Sequence, residues 1–237
     1  VIVLNSHTRK WLQLNLAAKN GVVANVDFPF LEGVLWDLLK QLDPNPIQAD
    51  FLNKEKLRIV LYELFLTMTH SDLDVFEKYL KKTSPEKMQW ARIWMLAEKI
   101  ASLLMEYEYQ RPDMIDAWLD NKFYLKEDFR EIEKAQRFLY LYLLHPKTGL
   151  LQKREKPLLS LYLYSKKIFS GVLAKIENEK PIHLFAISQV SVFHQKLLSK
   201  LKDHFDFHIY AFNPCREFWD DIKTNSEDRQ KRSHKKS

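Results

Sequence analysis

Histidine, aspartate and histidine alternate with phenylalanine at His204, Asp206 and His208. On a β-strand such alternation puts all three polar side chains on one face. Two imidazoles and a carboxylate on one face are the beginning of a metal site. No fourth ligand or supporting partner is suggested, so a strand edge beside solvent is the plainer reading. The carboxylate pairs Asp220-Asp221 and Glu106/Glu108 lie in helix-like stretches. No strand-borne acids accompany them to build a nuclease centre, and they read as solvated charges. Cys215 follows a turn proline and has no evident partner histidine, so it reads as a small buried residue. Glycine occurs only at Gly21, Gly33, Gly149 and Gly171, and there is no Gly-x-x-x-x-Gly-Lys-Ser/Thr loop to cradle a phosphate. Neither ATP hydrolysis nor nuclease chemistry is expected, and no cofactor or metal.

Binding must then rest on surfaces, and charge says little about them. The formal net charge is +6, but Lys223 to Ser237 holds six Lys/Arg against two acids, which leaves the body at about +2. A uniformly basic nucleic-acid binder would carry more. The tail is almost devoid of apolar residues and is expected to be disordered. The 237 residues are 46% hydrophobic, enough to bury the core of one large domain or two small ones. One cysteine excludes an internal disulfide and a multi-thiolate zinc site. With no signal-like start and no apolar run near the roughly 20 residues of a membrane span, a soluble protein of the reducing cytoplasm is expected.

The elements that must position any surface begin with an apolar run, Val1 to Leu4, with nothing before it to turn or cap, as in a fragment. Ser6 or Thr8 can cap a helix from about 7 to 19, in which Trp11, Leu14 and Ala18 recur at helical spacing beside Leu12 and Leu16. Asn20-Gly21 ends it, 22–26 is a short β-rich run, and a second helix spans about 31–42. This is a βαβα unit of a parallel sheet. From Pro44 to Asn178 every convincing segment is helical. Ser84-Pro85-Glu86 starts a helix with two stripes, Trp90, Trp94, Ala97, Ala101, Leu104 and Ile93, Leu96, Ile100, Leu103. Arg111-Pro112 breaks it, and a short helix follows to about Trp118. Further helices are expected at about 126–145 and 156–177. Strand character returns at 182–187 and 207–212, flanking a helix at about 192–202. The fold class is therefore α/β: a parallel sheet from 1–44 and 179–223, a helical insertion at 45–178, and a basic tail at 224–237. The runs at 1–5, 22–27, 182–187 and 207–212 should join one sheet.

Three blocks carry a resemblance. They are Trp11-Leu12-Gln13-Leu14 with Gly21 through Pro29 and Leu35-Trp36-Asp37; Arg111-Pro112-Asp113 ahead of Trp118; and Asn213-Pro214-Cys215-Arg216 with Trp219, Asp221 and Ile222. In order and spacing, over about residues 1–223, the chain resembles the N-terminal part of the RecC family, the gamma chain of bacterial exodeoxyribonuclease V. The resemblance implies a decayed superfamily 1 helicase fold, in which a RecA-like sheet holds an inserted helical subdomain and hydrolyses no ATP. It places Val1 to Leu16 where active relatives have the strand, loop and helix that contact single-stranded DNA. Phe185-Ala186-Ile187-Ser188 falls where they hold magnesium-binding carboxylates, and here the acids are missing.

The resemblance further implies a channel for the unwound strand, recognition of the hotspot sequence Chi, single- and double-stranded DNA as ligands, and RecB and RecD chains as partners. Carried over by position, Trp36, Arg111 and Leu103 match the family's channel-lining residues, Ser6 replaces one hydroxyl by another, and Phe30 is an apolar replacement. Base stacking on Trp36 and phosphate or base contact by Arg111 suit a single strand. Read without the family, Trp36 serves equally as a core tryptophan and Arg111 as a cap on the preceding helix. Leu4, Lys10, Ser102 and Met105 depart from the family's polar or acidic channel residues, which implies a different recognition sequence or none. The competing reading is an interaction scaffold that does not touch DNA.

Overall fold

The computed structural model describes residues 1–3, 5–24, 26–46, 48–81, 89–176, 180–187 and 190–211. The carboxylate pair at 220–221, Cys215, the start signal at 84–86 and the basic tail lie outside them.

Helix α1 spans Ser6–Asn20, and its cap is Asn5, whose side chain accepts from the Thr8 amide; the chain leaves the helix through Gly21 at φ 81°. The cap is thus one residue before the serine expected from the sequence, because an asparagine side chain reaches the N3 amide equally well. Its buried side is Leu12, with Leu16 packed beside it, while Trp11 and Leu14 are exposed. Helix α2, Leu31–Leu42, buries Leu35, Trp36, Leu38, Leu39 and Leu42. None of the described residues of the 22–26 run between them lies in a strand. Val22 and Val26 are exposed, and β-branched residues favour strands only where a half-buried, pleated surface receives them.

Helix α3, Lys54–Thr67, lies along α5, Gln89–Gln110. Lys54 and Arg58 of α3 both reach Glu98 of α5, at 2.8 Å each. The stripe of α5 that enters the core is Ile93, Leu96, Ala97, Ile100, Ala101 and Leu104, whereas Trp90 and Trp94 face outward. Helices α4 (Asp74–Lys81), α6 (Pro112–Leu119) and α7 (Arg130–Leu144) complete this part. Proline opens α6, where its missing N–H costs nothing. Beyond α7 the chain turns back so tightly that a side chain on Gly149 would meet backbone atoms of Leu143 and His145 at 2.7 Å.

Two short strands lie where only helix is expected from the sequence. β1 (Asp50–Phe51) pairs in parallel with β2 (Leu158–Leu159). Helix α8 therefore runs only from Leu161 to Phe169, capped by Ser160. Polar 153–157 detaches the segment from α8, and apolar Leu158-Leu159 is buried as a strand.

The second sheet collects the distant ends of the chain. β3 (Ile182–Phe185) and β4 (Phe207–Tyr210) run parallel, joined by α9 (Val192–Leu201). Ile2 bridges in parallel to Leu184, and Val3 to Phe30. The Ile2 amide donates to His183 O at 2.7 Å, and the Val3 amide to Pro29 O at 3.2 Å. The order across the sheet is thus 29–30, 2–3, β3, β4, all parallel, as parallel pairing across a long crossover requires. Of the described residues in the 22–27 run only Asp27 reaches this edge, its carbonyl accepting from the Val1 ammonium at 3.0 Å, and the place beside Val3 is taken by Pro29 and Phe30. Among the described residues no strand pairs with the far edge of β4, where Ile209 is 66% exposed. One continuous buried cluster runs from α2 through α5, α7 and α8 to Phe193, Leu197 and Leu201 of α9.

Candidate nucleic-acid interface

Parallel strands deliver their carboxyl ends to one side, the usual binding side of open α/β sheets. At that side a cavity of about 410 Å³ lies between the first turn of α1 and the ends of β3 and β4, lined by His7, Thr8, Trp11, Phe185, Tyr210 and neighbouring alanines. Trp11 is 56% exposed and Tyr210 46%. Phe185 ties the two together, stacked on Trp11 with centroids 6.0 Å apart and 22° between planes, and 6.3 Å from the Tyr210 ring. Tyr210 is steadied by a hydrogen bond between its hydroxyl and His183 Nδ1 at 3.0 Å. Beyond Phe185 the chain turns at Ala186, whose φ of 55° is unusual for a residue with a Cβ. Three aromatic rings around one cavity suit a planar ligand such as a nucleic-acid base.

The five residues expected from the sequence are divided between surface and core. Ser6 is exposed at the start of α1, beside this cavity's His7 and Thr8. Phe30 is exposed at the sheet edge, immediately before α2. Trp36 is only 5% exposed, with Tyr164 at 4.4 Å and Phe51 at 5.3 Å between centroids. Both neighbours are aromatic, and the ring is a core tryptophan with no open face for a base. Leu103 is half-buried on α5.

Arg111 is exposed at the α5–α6 junction, its amide donating to Tyr107 O at 2.9 Å and its carbonyl accepting from Met114 at 3.0 Å. Its side chain makes no capping hydrogen bond at the start of α6, and its charge acts on the hydroxyls of Tyr107 and Tyr124. Next to it, the Tyr124 hydroxyl donates to Asp113 at 2.5 Å, which holds that carboxyl below its usual range.

Other chemistry-bearing residues fall elsewhere. Asp206 and His208 meet each other at the surface at 3.2 Å, and no group of three His, Cys, Asp or Glu among the described residues could hold a metal ion. Glu108 is not a solvated charge. It is fully buried, accepts from Tyr140 and Ser160 at 2.8 Å each, and is pushed up to about 7 by loss of solvent. Its spacing of 4 from Leu104 continues the buried stripe of α5, and that spacing was the available signal. The cavity aromatics were hidden for a different reason. Trp11 reads as a core position by helical period, and Phe185 and Tyr210 read as buried strand.

The fold is a mostly helical protein with two small parallel sheets, and an aromatic cavity lies at the carboxyl ends of the strands of one of them. A family model described as RecC, N-terminal domain, matches residues 1–237, and the chain belongs to that family. It is 25% identical over 224 residues to the RecBCD enzyme subunit RecC of Escherichia coli (strain K12), covering 94% of this chain and 19% of that protein. It is also 25% identical over 244 residues to the RecBCD enzyme subunit RecC of Haemophilus influenzae, covering 94% and 21%. The chain thus spans about a fifth of the length of the curated relatives it matches. No helix among the described residues is long and apolar enough to cross a membrane.

Proposed function

We propose that this chain is a non-catalytic, helicase-like DNA-channel segment of an exodeoxyribonuclease V gamma chain, guiding unwound single-stranded DNA and contributing to Chi recognition beside RecB and RecD chains. The observation that carries the reading is the aromatic cavity at the carboxyl ends of β3 and β4, framed by the start of α1. The all-parallel order of segments 29–30, 2–3, β3 and β4 supports a RecA-like sheet in 1–44 and 179–223, with 45–178 inserted as a helical subdomain. Ser6, Phe30, Leu103 and Arg111 serve as contacts along the channel, and Trp36 holds α2 in place from the core. No catalytic step is assigned, since the sequence has no phosphate loop and no clustered acids at the strand ends.

The test uses the full-length chain and fluorescence anisotropy with a single-stranded oligonucleotide. Trp11→Ala with Tyr210→Ala is expected to weaken binding by about 5-fold to 100-fold, the worth of roughly one lost stacking contact. Unchanged affinity in a folded variant would remove the cavity from the DNA path. One observation favours the scaffold reading instead: α5 shows Trp90, Trp94 and Met95 to solvent, a face suited to protein contact. That reading gains if charged substitutions there dissociate the complex while the cavity variants bind DNA normally.

A further inference from the structure

A second groove lies between α8 and α9, closed at one end by the start of α6. Lys166 of α8 and Lys196 and Lys200 of α9 stand on its walls, above Tyr162, Phe193 and Leu197, and it encloses about 210 Å³. Neither helix contains an aspartate or glutamate. The acid that does line the groove, Asp116, is already engaged by the Tyr162 hydroxyl and the Lys166 ammonium. Lys196 and Lys200 remain in excess. They are four residues apart on one face of α9, where like charges repel. Lys200 sits 4.8 Å from the centroid of the Phe169 ring. The field of Lys196 reaches Asp113, but that carboxylate's closest partner is the Tyr124 hydroxyl. A low-dielectric floor beneath the ammonium groups focuses their field outward, toward an anion.

The polar groups of the groove are also one-sided. Lysine ammoniums only donate; the Tyr162 hydroxyl is directed to Asp116 and Pro112 O, and the Ser165 hydroxyl donates to Tyr162 O. A peptide laid here would bring backbone N–H groups that need acceptors, and apart from the engaged Asp116 the side chains offer only the lone pairs of the buried Tyr162 and Ser165 hydroxyls. A phosphodiester backbone brings acceptors alone. Pro112, at the closed end, follows directly on the exposed Arg111.

We propose that the α8–α9 groove is a phosphate track for single-stranded DNA, with Lys196 and Lys200 as its contacts and Lys166 held in reserve by Asp116. The inference rests on the DNA-channel reading and adds to it a contact that reads charge and not bases. In the full-length chain, binding of an oligothymidine is measured across a salt series. Lys196→Gln with Lys200→Gln should weaken binding and make the slope of log affinity against log salt shallower by about 1.4, at roughly 0.7 per phosphate contact on a single strand. Arginine at both positions should keep the slope. Asp116→Asn should act in the opposite direction and tighten binding, which a merely structural role for these residues would not produce.

An unchanged slope in the double glutamine variant overturns the proposal. So does intact DNA binding accompanied by lost assembly with partner chains, which would mark the groove as a dock for an acidic protein segment. Trp11→Ala with Tyr210→Ala separates the two sites. A lower slope on removing the lysines, with the aromatic variant silent, upholds the groove and retires the cavity.

Discussion

Tyr140 and Ser160 donate to one oxygen of Glu108, and its other oxygen has no partner among the described residues. With burial complete, loss of solvent outweighs the two hydrogen bonds and raises the carboxyl from its ordinary 4.5 to about 7. The folded protein therefore holds a proton here that the unfolded chain gives up. Below about 4.5 the group is neutral in both states and costs nothing. As the pH climbs to about 7 stability falls, by about 1.4 kcal/mol per pH unit, and about 3 kcal/mol is gone above it. Glu108→Gln is expected to abolish this slope and to raise the urea midpoint at pH about 8 while leaving it nearly unchanged at pH about 5. A glutamine variant with the parental pH slope would show that another group titrates. At this scale the sequence supplied the position of Glu108 on a buried stripe but not its partners, which come from Tyr140 and Ser160, 32 and 52 residues away.

Glu133 organises an element junction in the same manner. Buried on α7, it accepts from Trp118 Nε1 at 2.9 Å and from the amides of Tyr124 at 2.5 Å and Leu125 at 2.9 Å. One carboxylate thus fixes the α6–α7 connection to both helices. Glu133→Ala leaves three donors without an acceptor and should cost about 3 kcal/mol or more, read as a fall in the denaturation midpoint. A loss under about 1 kcal/mol would mean that water reaches the junction. The helices themselves were readable in advance wherever start and stop residues coincide with a 3.6 period, as at Gly21 after α1 and at Arg111-Pro112 between α5 and α6. How much of each stripe is buried was not. Trp90, Trp94 and Trp11 fit the period of a buried face, yet the burial goes to smaller neighbours such as Ala97, Ala101 and Leu12. Period fixes the spacing of a face, while the partner helix decides its rotation. Short strands fared worst, because Asp50-Phe51 and Leu158-Leu159 exist only through each other, and the described residues of 22–26 have no such partner among the described residues.

Across the whole molecule, chain ends more than 180 residues apart in sequence meet through the Ile2–Leu184 bridge. The parallel character of those segments was legible in their continuous apolar runs. The side on which a ligand is expected followed from the direction of the strands. What only the fold could supply was the convergence of Trp11, Phe185 and Tyr210 on one cavity, and of α8 and α9 lysines on another. The outer margin of β4 has a consequence for anyone handling this segment. Its main-chain groups, unmatched among the described residues, form with the bare side chain of Ile209 a template on which a second copy could add strand to strand, a route to self-association and fibre growth rather than to function. Placing a charge there interrupts such templating without touching the core. Ile209→Lys is expected to slow the rise of light scattering from concentrated samples of this segment, with far-UV circular dichroism unchanged. Equal scattering by both forms would locate the sticky surface elsewhere, with the outward tryptophans of α5 next in line.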